Sequence, residues 1–181
     1  MSQPGRAQSY DWTVSHQGEF MPKSTFQQIP PEKQERVLRE AARLFAERGF
    51  SQADVAELAA RAGVSKGSLY TYFENKEALY LHVCRDGLAR SRRAVYGGLR
   101  PEWELGRKLE HILHRGVAFA QSHPEYVALY INLSAAGMDQ FADRLSREVE
   151  KFTADLLKSM LRQARDQGQL RPDLDVDLTP F

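Results

Sequence analysis

Three histidines are the first residues whose spacing suggests chemistry. His111 and His114 lie three apart, which puts both on one side of a helix, and His123 follows shortly after. A zinc site needs a third and a fourth ligand, and no Cys or carboxylate pattern supplies them. These histidines are read as surface or groove residues, with no metal and no cofactor expected. The chain has one cysteine, Cys84, so it can form no intrachain disulfide. Cys84 sits in a helical pattern and reads as a small, partly buried filler. No Gly-rich phosphate loop, HExxH pair or nucleophile elbow is present, so no enzyme is expected. The residues that do stand out are suited to recognition. Ser65, Lys66, Gly67, Ser68, Tyr70, Thr71 and Tyr72 are small or able to hydrogen-bond, and only Leu69 and Phe73, four apart, are apolar among them. A helix buried on all sides does not carry such a set, whereas one lying in the major groove of DNA does.

The elements that must hold this segment are legible around it. Val55, Leu58, Ala59 and Ala62 recur at helical spacing and give a first short helix one apolar face. Asp54 is its expected N-cap, with Glu57 three residues on to complete a capping box. Gly63 follows the last periodic residue, where a left-handed backbone favours glycine. Val64 fills the turn, and Ser65 caps the second helix, Lys66 to about Tyr72. Upstream, Pro30-Pro31 opens a helix with acids Glu32 and Glu35 early. Val37, Leu38, Ala41, Leu44 and Phe45 form its inner stripe, and Gly49 ends it with Phe50 packing back. Downstream, Asn75 caps a helix that runs to about Tyr96.

The stretch resembles the tetracycline-repressor (TetR) family of helix-turn-helix regulators. The matching residues are Gly49-Phe50, Val55, Leu58-Ala59, Ala62-Gly63-Val64-Ser65, Gly67, Leu69-Tyr70, Tyr72-Phe73, Asn75-Lys76-Glu77 and Leu79. The family usually carries a Thr or Ser pair just before Val55 that caps the helix and touches phosphate. Here Ala53 and Asp54 stand there, and Asp repels phosphate. The resemblance implies an all-α protein. A three-helix DNA-binding domain at about 29–76 precedes an antiparallel helical ligand-binding and dimerisation domain at 77–181. It also implies that Ser65, Lys66, Gly67, Ser68, Tyr70 and Thr71 face the duplex, while Tyr72 and Lys76 grip phosphates. The partners implied are a palindromic double-stranded operator, a second copy of the chain and a small-molecule inducer of unknown class.

The rest of the chain fits that plan. Residues 1–28 lack periodicity and read as a disordered tail. Met21 begins a stretch like a common family N-terminus, which makes 1–20 an upstream extension, and Lys23 belongs to an arm able to reach DNA. Residues 22–98 carry about four more basic than acidic side chains, and 101–181 about three more acidic than basic, so the first part favours a polyanion. Arg85, Arg90, Arg92 and Arg93 read as a solvated face at the end of the 76–96 helix. Further helices are expected over 102–122, from Pro124 to near Gly137, and from Asp139 to Gln167. Leu105, Leu109, Ile112, Leu113, Gly116, Phe119 and Ala120 would line the first of these, and Phe141, Leu145, Val149, Phe152, Leu156, Met160 and Leu161 the last. Gly168 would end that helix.

In the family, inducers bind among the helices after the head and shift the helix that leaves it. His82, Tyr96, Trp103, His111, Phe119, Tyr126, Tyr130 and Phe152 are the aromatic and imidazole side chains placed to line such a pocket. Members usually continue with two further long helices that build the dimer, and residues 177–181 read as the first turn of these. The sequence is therefore read as short by its last helices. The alternative is a truncated helical ligand- or protein-binding module without competent operator binding. No apolar run reaches transmembrane length and no signal-peptide core is present, so a cytoplasmic protein is expected.

Overall fold

The structure, a computed structural model, describes residues 22–132 and 139–176, without the side chains of 139–142 and 144. Residues 1–21 of the expected tail, the last turns before Gly137, the side chain of Phe141 and residues 177–181 lie outside the described residues. The described residues form helices and no strand: α1 (Ser24–Gln27), α2 (Pro31–Gln52), α3 (Val55–Ala62), α4 (Lys66–Tyr72), α5 (Lys76–Tyr96), α6 (Leu105–Ser122), α7 (Pro124–Ile131) and α8 (Asp139–Asp166).

The head is built as its pattern dictates. Pro31 starts α2 where a missing N–H does no harm. Val37, Leu38, Ala41, Leu44 and Phe45 are all buried, and α3 adds Leu58, Ala59 and Ala62 to the same core. The helical path of α2 breaks at Gly49 (φ 70°, ψ 168°), the expected end, and one more turn follows to Gln52. That turn exists because Phe50 folds back against Phe45 and Tyr80, with ring centroids 6.4 and 5.2 Å away. Arg61 of α3 binds Glu47 of α2 at 2.8 Å and pins the two helices on their exposed side.

One expectation fails at the start of the chain. Residues 22–28 were read as part of a disordered tail, yet Ser24–Gln27 is a turn of helix and Phe26 is buried in the head core. Phe26 meets Tyr72, Phe73 and His82 with centroids 5.6, 4.9 and 6.0 Å away. A single large apolar side chain anchors the segment, which periodicity cannot reveal.

Beyond the head, α5 packs on α2, α6 and α7, and α7 packs on α2 as well as α6. Leu145, Leu156, Met160 and Ala164 are the buried stripe of α8, and Gly168 takes φ 72° just past its end. The stripe expected on α6 is only partly covered. Phe119 is buried, but Leu109 is exposed and Leu113 keeps 67 % of its surface accessible. Val117, Val127, Tyr130 and Ile131 are exposed too. The apolar arc of α6 and α7 is wider than the neighbouring helices cover. The arginines of α5 also depart from expectation. Arg90 and Arg92 are partly buried between helices rather than solvated, as described below. Lys108 is buried and donates to Pro101 O at 2.9 Å and Gln163 Oε1 at 2.6 Å, tying the 101 turn to α6 and α8. Burial lowers its pKa, because a desolvated ammonium is disfavoured.

Candidate functional site

The start of α3 and the turn from α3 to α4 are set by three local bonds. Asp54 Oδ1 accepts from Ala56 N–H at 2.8 Å and caps α3. The reciprocal half of the expected capping box is not what Glu57 does; its carboxylate takes Arg61 at 2.6 Å. Gly63 closes α3 at φ 66°, ψ 38°, while the N–H of Val64 reaches back to Ala59 O at 2.9 Å. Ser65 Oγ then accepts from Ser68 N–H at 3.0 Å and starts α4.

Leu69 and Phe73 are buried and hold α4 from behind. Ser65, Lys66, Gly67, Tyr70 and Thr71 are exposed along the other side, and Ser68 is half-buried among them. The N-terminal segment clamps the far end of α4. Lys23 N–H donates to Tyr72 O at 2.9 Å, Lys23 Nζ to Tyr70 O at 3.0 Å and Thr25 Oγ1 to Thr71 O at 2.7 Å. The last carbonyls of a helix have no partner within it, and this strap satisfies three of them. The sequence reading missed this role of Lys23 and Thr25. Its only signal was Phe26, an isolated apolar residue.

Two residues expected on phosphate make contacts within the chain. Tyr72 is only 7 % accessible and packs against Phe26, so its ring belongs to the core and not to the outward side. The i, i+3 spacing from Leu69 explains this: Tyr72 shares the inner face. Lys76 reaches across from the first turn of α5 to the end of α2. Its Nζ donates to Ser51 O at 3.2 Å and Ala53 O at 3.1 Å and sits 4.7 Å over the ring of Phe50. The ammonium neutralises a helix C-terminus, where a cation is favoured.

Of the eight residues expected in a ligand pocket, three come together. Phe119, Tyr126 and Tyr130 line a cavity of about 230 Å³ between α5, α6, α7 and α8. The other five do not join it. His82 is in the head, against Phe26 and Phe73. Tyr96 and Phe152 pack on each other at 5.2 Å, with the Arg92 guanidinium 4.6 Å over Phe152. Trp103 and His111 pair at 5.4 Å, His111 Nε2 lies 3.0 Å from Gly97 O, and Arg107 covers the indole. The cavity residues that sequence reading missed are small or aliphatic: Cys84, Gly87, Leu88, Ser91, Val95, Leu129 and Leu145 among them. An aromatic-centred search passes over such residues. Burial pushes the Cys84 thiol up to about 12, against the opposing hydrogen bond from Tyr80, so it is neutral at any ordinary pH. Among the described residues no three His, Cys, Asp or Glu side chains gather as a metal site.

The cavity is wired to the head. The Tyr126 hydroxyl donates to Asp86 Oδ2 at 3.3 Å, and the same oxygen accepts from Arg90 Nε at 2.6 Å. Arg90 then makes a two-pronged bond to Glu35 on α2, at 2.9 and 2.6 Å. Burial acts to lower the Arg90 pKa, but the hydrogen bonds it donates to Glu35 and Asp86 outweigh it and the guanidinium is held firmly charged. The Tyr126 phenol is pushed up by burial, then by Asp86, so it keeps its proton to donate.

A short helix capped at Ser65, held from behind and presenting a row of polar side chains after a tight Gly turn, is the geometry of a helix-turn-helix. Residues 37–83 match the model of the bacterial regulatory proteins of the tetR family. Within residues 37–83 the chain is thus similar to the tetR family of bacterial regulators. It is 45 % identical over 151 residues to the uncharacterized HTH-type transcriptional regulator YerO of Bacillus subtilis, covering 81 % of this chain and 52 % of that one. It is 28 % identical over 166 residues to the HTH-type transcriptional repressor KstR2 of Mycolicibacterium smegmatis, covering 82 % and 73 %. The chain thus spans about half the length of YerO and about three quarters of KstR2. The crystal structure of AibR in complex with isovaleryl coenzyme A and operator DNA shares the fold. Its TM-score is 0.63 at 22 % identity, over 80 % of this chain and 78 % of that one. No helix among the described residues is long and apolar enough to cross a membrane.

Proposed function

We propose that the protein is a cytoplasmic repressor that binds a palindromic DNA operator as a homodimer and releases it when a small molecule enters its helical domain. The observation that carries this reading is α4: one side is locked into the core by Leu69, Tyr72 and Phe73, and the other leaves Ser65, Lys66, Gly67, Tyr70 and Thr71 open. In this reading Lys66, Gly67 and Ser68 meet base edges, with Tyr70 and Thr71 beside them. Glycine at 67 lets the helix backbone approach the duplex closely. The similarity to a named repressor, and to a structure solved with operator DNA and an acyl coenzyme A, supports the two-partner scheme. Ligand and DNA then compete through two states of one molecule, each lowering affinity for the other by the same factor.

Selection of bound duplexes from a random-sequence pool by the purified protein tests it. The expected product is a palindrome whose half-sites lie about one helical turn, ~34 Å, apart, bound by two copies. Enrichment of no sequence over the starting pool would sink the repressor reading and favour a helical module without operator binding. Lys66→Ala or Ser68→Ala should change the preferred base within a half-site, each good base contact being worth about 1–3 kcal/mol. An unchanged half-site in both variants removes these two residues from base recognition.

A further inference from the structure

Tyr126 belongs to two structures at once. Its ring forms a wall of the cavity, and its hydroxyl is the first link of a chain through Asp86 and Arg90 to Glu35 on α2. The ring is seated tightly on α5: a Cβ added at Gly87 would collide with it, so only glycine leaves room there. The 3.3 Å bond from its hydroxyl to Asp86 is the longest link in the chain, and the others are 2.6–2.9 Å. A shift of a few tenths of an ångström at the ring therefore breaks this link first. Asp86 would then keep only Arg90, and the guanidinium would lose the fixed orientation that lets it fork onto Glu35. Glu35 lies one turn into the helix that carries the head core.

The cavity also states what can push the ring. Among the described residues no Asp, Glu, Lys, Arg or His lines it; Leu88, Val95, Phe119, Leu129 and Leu145 dominate. A carboxylate or ammonium entering it would lose its water without gaining a partner of opposite charge, which is heavily unfavourable. An apolar cavity of about 150 Å³ accepts benzene, and this one, at about 230 Å³, has room for a somewhat larger molecule. We propose that Tyr126 is the positioning residue through which a compact, uncharged, apolar ligand in this cavity acts on the reading head. The inference rests on the ligand-responsive reading above and names both the ligand class and the residue that couples it.

Toluene and benzoate, close in shape and different in charge, are the probes. Calorimetric titration of the full chain should show toluene binding and at least tenfold weaker binding of benzoate. At saturating toluene, affinity for the selected duplex should fall by about fivefold or more, a usual size for coupling between sites. In Tyr126→Phe, which keeps the ring and removes the hydroxyl, and in Glu35→Gln, at the far end of the chain, that factor should shrink to within twofold. Glu35 is not among the residues that line the cavity, so Glu35→Gln should bind toluene as the unaltered protein does. Amide exchange over residues 31–73 supplies a DNA-free readout: toluene should alter it in the unaltered protein and not in either variant. Equal coupling in all three proteins overturns the role of Tyr126 and leaves the ligand-responsive reading standing. Toluene that binds without changing duplex affinity or head exchange overturns both. Benzoate binding as tightly as toluene, or neither binding, overturns the ligand class.

Discussion

Lys76 shows how a residue type at a known position can serve a different end. A cation on the first turn of a helix opposes that helix's dipole, and a phosphate would relieve the conflict. The conflict is relieved instead by the carbonyls of Ser51 and Ala53, at the end of another helix. Lys76→Ala is therefore expected to act on stability. Losing two charge-assisted bonds at a half-exposed site should cost about 1–2 kcal/mol in denaturant unfolding, while the slope of DNA affinity against salt changes little. A salt slope reduced by about one unit with unchanged stability would return Lys76 to phosphate. The exposed polar residues of α4 were legible from the sequence because Leu69 and Phe73 fixed the inner face. Tyr72 was not, because a tyrosine suits either side and only Phe26 decides which. Phe26 comes from a segment whose one-turn helix has no period to read.

At the scale of elements, the helix ends were the most legible features. Asp54, Gly63, Ser65, Asn75 and Gly168 each stand where their chemistry predicts, since capping depends on a few adjacent residues. How helices pair is less local, and there the sequence misled: Leu109 and Leu113 look like core on α6 but lie outside it. Two glycines separate the local from the non-local. Gly63→Ala places a side chain at φ 66° with open space around it, the nearest atom being Arg36 Cζ at 3.9 Å. The expected loss is backbone strain alone, about 1–2 kcal/mol, with the half-site preference retained. Gly87→Ala is tolerable to the backbone of α5 but collides with the Tyr126 ring. It should destabilise by about 1–3 kcal/mol, as overpacking does, and should also weaken any coupling between toluene and the duplex, because the displaced ring carries the bond to Asp86. Comparable melting losses with coupling intact in Gly87→Ala would show that the ring's seat matters for packing only.

At the scale of the whole molecule, the head is joined to the helical domain by α5 and by side chains that cross the joint, and His82 sits at that crossing. Its ring packs against Phe26 from α1 and Phe73 after α4, with centroids 6.0 and 5.6 Å away. Burial lowers its pKa below the usual imidazole value. Asp86, one turn along, opposes this by favouring the charged ring, and Arg85 adds to the lowering. The direction fixes the sign of the pH dependence. Above about pH 6.5 the imidazole is neutral in both folded and unfolded chains and contributes no slope. As pH falls through that value the unfolded chain takes up a proton that the native one resists, so stability declines. The decline ends only once the native pKa is passed. Its steepness cannot exceed about 1.4 kcal/mol per pH unit for one group. Because Phe26 anchors the strap that holds the carbonyls of Tyr70, Thr71 and Tyr72, charging His82 should loosen the reading helix before the rest of the protein unfolds. Thermal melts between pH 7 and 5 should therefore show a falling midpoint in the unaltered protein and a flatter one in His82→Gln, where no proton is gained. Amide exchange at residues 69–73 should quicken over the same interval in the unaltered protein alone. Parallel melting curves, or exchange at 69–73 that ignores pH, would mean that acid acts elsewhere and that the strap is not governed by this histidine.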